Sequence, residues 1–477
     1  MKREGKTHIP KMDNRISTLK RDLAQAQQDP KIDDDPNARN HIRLLENEIS
    51  YLERKRFKTA YMKSQTHWHH KGEKINKYWC AISNPRKPRD IIYSLRNPAT
   101  DQIMTRSKGM TEIARKYHND LQTCDLLPPD NPDRQTAQQT VLDAIPQSQK
   151  FSDPNSPVNH LITKNQVTEA IQSAKNGSAT GLDGIPYELW KMLHGIHLTN
   201  AKLGKPSFDI ANALTTVYNN IQTNGTLPNG DFASGWMCPI YKKKDHTKIE
   251  NYRPNTLLNT DYKLMTRVLT TQLASYAHQL LHPDQTGFIP AHSIFDPIRL
   301  AESMCAYTDY MEENRAIIAL DQEKAYDKID HKYLIDTLKT FQLPEIFIRT
   351  VASLYDNVNT LVIINGLKSE PYCVTRGVCQ GDPLSCLLFN LAIESLATSI
   401  WNSPNLSGFN IPGSNSRILI NLYADDTTIY LSETDQYDTL QHILTTWCRA
   451  SGAKFNLSKT EIIPLGTPEH RHNILQT

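Results

Sequence analysis

Ala316-Ile317-Ile318-Ala319-Leu320 is an unbroken apolar run, and it ends on a carboxylate, Asp321. A short run without alternation predicts a strand covered on both faces, with Asp321 emerging at its end. Further on, Ile418-Leu419-Ile420-Asn421-Leu422 and Thr428-Ile429-Tyr430-Leu431 flank Tyr423-Ala424-Asp425-Asp426. That pattern predicts a β-hairpin carrying two adjacent carboxylates at its turn. Between the two sites, the polar stretch Arg376 to Ser385 opens onto Cys386-Leu387-Leu388-Phe389-Asn390-Leu391-Ala392-Ile393. This predicts a loop-to-helix junction flanked by Gly381 and Pro383, with Asp382 or Ser385 as its cap. Near the N-terminus, Ile16, Leu19 and Leu23, then Ile42, Leu45, Ile49 and Leu52, recur at helical spacing on either side of Asp29-Pro30 to Asp35-Pro36. The two seams predict a helical hairpin over about residues 10–65 within a basic, linker-like region 1–125. The prolines 128, 129, 132, 146, 154 and 157 predict a Pro-rich linker over 126–158, with the folded module at 159–477.

Composition narrows the class. A chain of 477 residues with 38% hydrophobic content has room for about three domains and a sizeable core in its later part. No stretch approaches the roughly 18 apolar residues of a membrane-spanning helix. Met1-Lys2-Arg3-Glu4-Gly5-Lys6 leads into no apolar segment, which speaks against a secretory signal. Eight cysteines without a Cys-x-x-Cys pair read as reduced thiols of an intracellular protein, with no visible zinc knuckle. His67-Trp68-His69-His70, lacking Cys or a second His pair nearby, reads as a surface basic and aromatic patch rather than a metal site.

Charge is uneven. Residues 1–90 hold 21 Lys+Arg against 12 Asp+Glu, while the whole chain is only +3, so the remainder is net acidic. A basic end suits a grip on nucleic acid, and Arg54-Lys55-Arg56-Phe57-Lys58 mixes cations with a ring as phosphate contact and base stacking require. A solvated helical stalk would carry the same residues. The carboxylates are equally open when taken singly. Asp is a common turn former, yet two adjacent anions stay ionised together more readily when cations or strong donors lie nearby.

The order of these motifs resembles the reverse transcriptases of non-LTR (LINE-type) retrotransposons. Leu320-Asp321 through Lys324-Ala325-Tyr326-Asp327 and His331 is similar to the family's first palm block, Arg376-Gly377-Val378-Cys379-Gln380-Gly381-Asp382-Pro383-Leu384-Ser385 to its second, and Tyr423-Ala424-Asp425-Asp426 to its third. Ser451 to Glu461, closing on Lys459-Thr460-Glu461, resembles the fourth. Thr180-Gly181-Leu182-Asp183-Gly184-Ile185-Pro186, Asn251-Tyr252-Arg253-Pro254 and Gln285-Thr286-Gly287-Phe288 resemble finger-region blocks.

The resemblance implies an α+β fold, the fingers and palm of a right-hand polymerase behind a helical N-terminal region, with the thumb largely missing from a truncated reading frame. It implies catalytic Asp321, Asp425 and Asp426, with two Mg²⁺ ions (Mn²⁺ as a substitute) held by Asp321, Asp425 and the backbone carbonyl of Gln322. Tyr326 matches an aromatic gate against ribonucleotides, although core packing accounts for a lone Tyr as well. Gln380 and Gly381 would lie along the nucleotide. Arg253, Lys242, Lys243 and Lys459 would meet the triphosphate, although a lysine run is more often a solvated face. Partners would be RNA template, DNA primer and dNTPs, with no membrane, in the nucleus or cytoplasm as a ribonucleoprotein. The chain departs from the pattern at Asn255-Thr256, where an apolar residue is expected first, and at Ala291-His292-Ser293, where an Arg is expected. These put template or nucleotide affinity in doubt. A maturase-like reverse transcriptase, a viral RNA polymerase and a non-catalytic nucleic-acid-binding relic are the other readings.

Overall fold

The computed structural model describes residues 14–23, 25–26, 38, 40–52, 55 and 91–476, apart from 228–229, 291, 357 and 412–416. The chain divides into two units, one of residues 1–110 with 245–247 and one of 111–244 with 248–477. In the first, helical stretches 14–23 and 40–52 place Ile16 and Leu52 in one small apolar cluster with Leu19. Arg15 Nη2 lies 2.6 Å from Glu48 Oε1. A short antiparallel pair, β1 (Leu95–Arg96) and β2 (Ile103–Met104), follows.

The second unit contains two larger sheets. Its strands are β3 (Gly235–Tyr241), β4 (Tyr252–Leu258), β5 (Arg315–Leu320), β6 (Asn359–Ile364), β7 (Leu367–Lys368), β8 (Tyr372–Cys373), β9 (Phe409–Asn410), β10 (Arg417–Ile418), β11 (Ile420–Tyr423), β12 (Asp426–Ser432) and β13 (Glu461–Leu465). The first sheet runs β4-β3-β6-β7, with β8 also on β6, and it is antiparallel except where β3 meets β6. The second runs β11-β12-β5-β13 and is antiparallel throughout.

The apolar run predicted as a doubly covered strand is β5. Ile318 and Leu320 join the main core, while Ile317 packs with Phe409, Ile418, Tyr430 and Leu465 and with Leu300, Met304 and Cys305 of the helix Phe295–Met311. Neighbouring side chains point to opposite faces of a strand, so covering both faces demands the unbroken run. The helix Ser385–Trp401, buried along almost its whole length, is the centre of the main core.

The stretch 126–158 is not a linker. It forms the helix Pro132–Asp143 and the short 3-10 turns Gln147–Gln149 and Pro157–Asn159. Three of its six prolines punctuate helix starts: Pro132 and Pro157 occupy first-turn positions and Pro146 precedes a turn. A fixed φ near −65° and a missing N–H are harmless there. The helix buries Arg134, Ala137, Gln138, Val141 and Leu142. Gln138 Nε2 donates to the Ala450 carbonyl at 3.3 Å, and Phe151 N–H donates to the Phe341 carbonyl at 2.8 Å. The boundary expected at residue 125 also moves, because residues 111–125 pack in the second unit, with Gln122 Oε1 accepting from the Thr375 and Arg376 N–H groups.

Candidate functional site

Asp321 follows the last residue of β5, and Asp425 and Asp426 sit where β11 turns into β12. Register brings them together. Thr427 pairs with Leu320 at the end of the ladder, so Asp426 and Asp321 are the next residues on two neighbouring chain segments, and paired strands run about 4.8 Å apart. The hairpin is as tight as its sequence predicts: Tyr423 pairs with Asp426, leaving Ala424 and Asp425 as the loop. Ala424 takes a left-handed φ of 58° and is buried.

The site is electrostatically crowded. Burial, then the Asp426 and Asp321 charges, push the Asp425 carboxyl up from its ordinary range, while Lys242 acts in the opposite direction. Partial desolvation, then Asp321, raise Asp426 as well, again opposed by Lys242. Lys242 is itself lowered by desolvation first and then by Arg253, Lys243 and Lys459, with Asp321 pulling it back up. These mutual influences place the three carboxylates, three lysines and Arg253 in one neighbourhood. Lys459 Nζ donates to Asp321 Oδ2 at 2.9 Å.

Gln322 braces the turn by a route the sequence does not show. Its Nε2 donates to the Asp425 carbonyl at 3.3 Å. Gln322 bridges Phe455, but the bonds of that bridge run from the Glu323 N–H to the Lys454 carbonyl and from the Asn456 N–H to the Asp321 carbonyl. The Gln322 carbonyl therefore stays outside the ladder.

Tyr326 stacks on Phe389 with ring centroids 4.7 Å apart and planes 15° apart. Burial raises its hydroxyl pKa far above the usual value, with Cys386 and Asp425 adding to the effect. Gln380 Nε2 donates to Asp327 Oδ1 at 3.1 Å. Gly381 has φ 106°, and a Cβ there would lie 2.9 Å from the Thr256 carbonyl oxygen, so the second block presses on β4 as only glycine allows. Asp382 does not cap the helix. The first turn has no side-chain cap; the Asp382 carboxyl is buried, pushed up to about 6 by desolvation, and faces the Ser385 hydroxyl.

Other sequence-marked residues fall elsewhere. Arg54, Arg56 and Lys58 lie outside the described residues, and Lys55 is described only on the first unit, its Nζ 6.0 Å from the Tyr51 ring centre. Asn255 is no intrusion into an apolar face: β4 alternates, and Asn255 shares the more open face with Arg253 while Thr256 is buried. His292 Nδ1 lies 3.8 Å from Asp296 Oδ2 at the start of the helix Phe295–Met311. Gln285-Thr286-Gly287 lies beneath the carboxylate turn rather than in the β3–β4 sheet.

Arg376, which the sequence marks only as a block member, is almost fully buried. Its Nε donates to the Lys328 carbonyl at 3.0 Å, and its Nη1 and Nη2 donate to the Cys124 and Gly452 carbonyls at 2.8 and 2.5 Å. One guanidinium thus ties three distant segments. Arginine's fixed fork of donors suits that task. Nothing in the local pattern distinguishes such an Arg from a solvated one.

Among the described residues no group of three or more His, Cys, Asp and Glu closes around one point, and no helix is long and apolar enough to cross a membrane. The three carboxylates still suit a hard divalent ion. Mg²⁺ is usually held by one or two carboxylates plus substrate phosphates rather than by an all-protein cage.

Residues 241–470 match the family model described as reverse transcriptase (RNA-dependent DNA polymerase). The chain is 28% identical over 74% of its length to the transposon TX1 uncharacterized 149 kDa protein of Xenopus laevis, covering 25% of that protein. It is 25% identical over 48% of its length to the retrovirus-related Pol polyprotein from type-2 retrotransposable element R2DM of Drosophila melanogaster, covering 21% of it. It is also 25% identical over 45% of its length to the RNA-directed DNA polymerase from mobile element jockey of Drosophila melanogaster, covering 23% of it. The matched region spans about a quarter of the length of these relatives.

Proposed function

We propose, on the premise that this chain carries a reverse transcriptase domain of the non-LTR retrotransposon type over residues 241–470, that it extends a primer 3′-hydroxyl with deoxynucleoside triphosphates on an RNA template. One observation carries the reading: Asp321, Asp425 and Asp426 gather at one end of an antiparallel sheet, with Lys242, Arg253 and Lys459 beside them. Asp321 and Asp425 would hold two Mg²⁺ ions, with the Gln322 carbonyl and Asp426 in support and Mn²⁺ as a substitute. Such ions lower the pKa of the attacking hydroxyl and offset charge on the leaving pyrophosphate.

The protein's own groups supply the rest. Lys242, Lys243 and Arg253 neutralise the triphosphate and orient it for in-line attack. Lys459 stands at Asp321, placed to follow the leaving phosphates or to donate a proton to them. Tyr326, backed by Phe389, fills the volume a ribose 2′-hydroxyl needs. Gln380 and Gly381 line the nucleotide. Bound to its RNA template, the chain would act as a ribonucleoprotein in the nucleus or cytoplasm.

Primer extension tests the reading. The wild-type chain is expected to incorporate dNTPs on an RNA template only with Mg²⁺ or Mn²⁺, and Asp425→Asn to abolish incorporation while leaving the fold intact by circular dichroism. RNA retention in a gel shift with no extension at any protein concentration replaces the polymerase by a nucleic-acid-binding relic.

A further inference from the structure

The helix Ser385–Trp401 is the most apolar among the described residues, yet besides the small hydroxyl of Ser395 it buries completely the amide of Asn390 and the carboxyl of Glu394, one turn apart. Desolvating an amide and a carboxyl costs several kcal/mol unless both are hydrogen-bonded. Both reach the same short loop. Asn390 Nδ2 donates to the Gly287 carbonyl at 2.7 Å, and Glu394 Oε1 accepts from the His282 N–H at 2.9 Å and from Gln149 Nε2 at 2.7 Å. Residues at i and i+4 share one helix face, so this helix pins both ends of the loop 282–287.

The loop in turn grips the carboxylate hairpin. The Leu422 N–H donates to the Asp284 carbonyl at 2.9 Å, and the Leu422 carbonyl accepts from the Thr286 N–H at 2.8 Å and the Thr286 hydroxyl at 3.0 Å. Gln285 is wholly buried, and its Oε1 accepts from both the Ala424 and Gly287 N–H groups at 3.1 Å. Ala424 is the left-handed residue of the turn, a conformation whose steric crowding side chains other than glycine rarely accept. Gly287 lets the two backbones touch, since a Cβ there would lie 2.8 Å from the Tyr423 carbonyl carbon and closer still to the Ala424 nitrogen.

We infer that loop 282–287 is a clasp that holds the strained turn and sets where Asp425 stands, and that Gln285, Asn390 and Glu394 are positioning residues for divalent-ion binding. The inference rests on the proposed ion site at Asp321 and Asp425. Metal ligands depend on the groups that orient them, whose loss typically weakens affinity by about 10–100-fold.

Hydrogen exchange and ion binding test it together on the full chain. Gln285→Ala removes the acceptor of the Ala424 N–H. Thr286→Val removes one hydroxyl bond and leaves the shape, so it guards against a folding defect. Both are expected to speed exchange in peptides spanning Ala424, with no change in the helix Glu345–Tyr355, and to weaken Mn²⁺ binding, read from the free-ion EPR signal, by about tenfold or more. Glu394→Ala, which leaves the His282 N–H without its acceptor, is expected to move exchange and Mn²⁺ affinity in the same direction, and Glu394→Gln, which keeps an acceptor oxygen, to restore both readouts. Unchanged exchange at Ala424 in Gln285→Ala overturns the clasp, and faster exchange with unchanged Mn²⁺ affinity overturns its link to the ions. A wild-type chain that binds no Mn²⁺ brings down the ion-site reading, and the inference with it, while the exchange data still report the clasp separately.

Discussion

Lys459 Nζ lies 2.9 Å from Asp321 Oδ2, with both side chains about 40% exposed, so an ammonium already occupies an oxygen that the proposed ions need. A half-exposed pair of this kind is worth little to stability. Its consequence is competition. Lys459→Met is expected to tighten binding of Mn²⁺ alone and yet to slow primer extension by about 10²-fold, the usual scale for losing a positioned proton donor. EPR titration and single-turnover extension read the two effects; weaker Mn²⁺ binding in the variant would reject the competition.

Tyr326 gives the sugar-selection test. Its ring is stacked on Phe389, and the Asp425 charge acts on its hydroxyl. Tyr326→Ala opens that volume and is expected to lower the preference for dNTP over rNTP, measured as the ratio of kcat/KM values. Sugar discrimination equal to wild type would return Tyr326 to a packing role.

Arg134 and Asp330 test whether the segment before residue 159 belongs to the folded module. Arg134 is fully buried, its Nη2 is 2.5 Å from Asp330 Oδ2, and its Nη1 donates to the Leu127 carbonyl at 2.7 Å. Asp330 also accepts from the Tyr333 N–H and so starts the helix His331–Thr340. Removing one partner leaves a charge buried alone, so Arg134→Met is expected to cost about 3–5 kcal/mol in urea unfolding. A loss below about 1 kcal/mol, the scale of a surface pair, would show the segment to be loosely attached.

Glu394 supplies a pH signature. Burial pushes its carboxyl from an ordinary 4.5 up to about 8, against the lowering effect of its bonds from Gln149 and the His282 N–H. The folded state therefore keeps a proton that the unfolded state releases. The stability linked to this group is fully present below about 4.5, falls as pH rises, and levels off above about 8. Glu394→Gln has no such titration, so the difference in unfolding free energy between wild type and variant is expected to drift against wild type across that window. A pH-independent difference would mean that Glu394 is ionised in the fold.

Local pattern alone determined the parts that local physics controls. The run 316–320 had to be a doubly covered strand, the tetrapeptide 423–426 a hairpin turn, and Asp321 and Asp425 the ends of rigid elements, because side-chain period and turn geometry are properties of a few adjacent residues. Only the tertiary structure decided what those elements touch. Gln285-Thr286-Gly287 reads as a finger block yet lies under the carboxylate turn. Asn390 and Glu394 hide in an apolar helix as apparent exceptions until the loop they pin is seen. Pro132 and Pro157 read as punctuation of a linker but begin helical turns, and the helix Pro132–Asp143 is held in the fold because the buried Arg134 and Gln138 find partners on Asp330 and Ala450, far along the chain. Such contacts repay the desolvation of polar groups across hundreds of residues, and no periodicity within one segment carries that information.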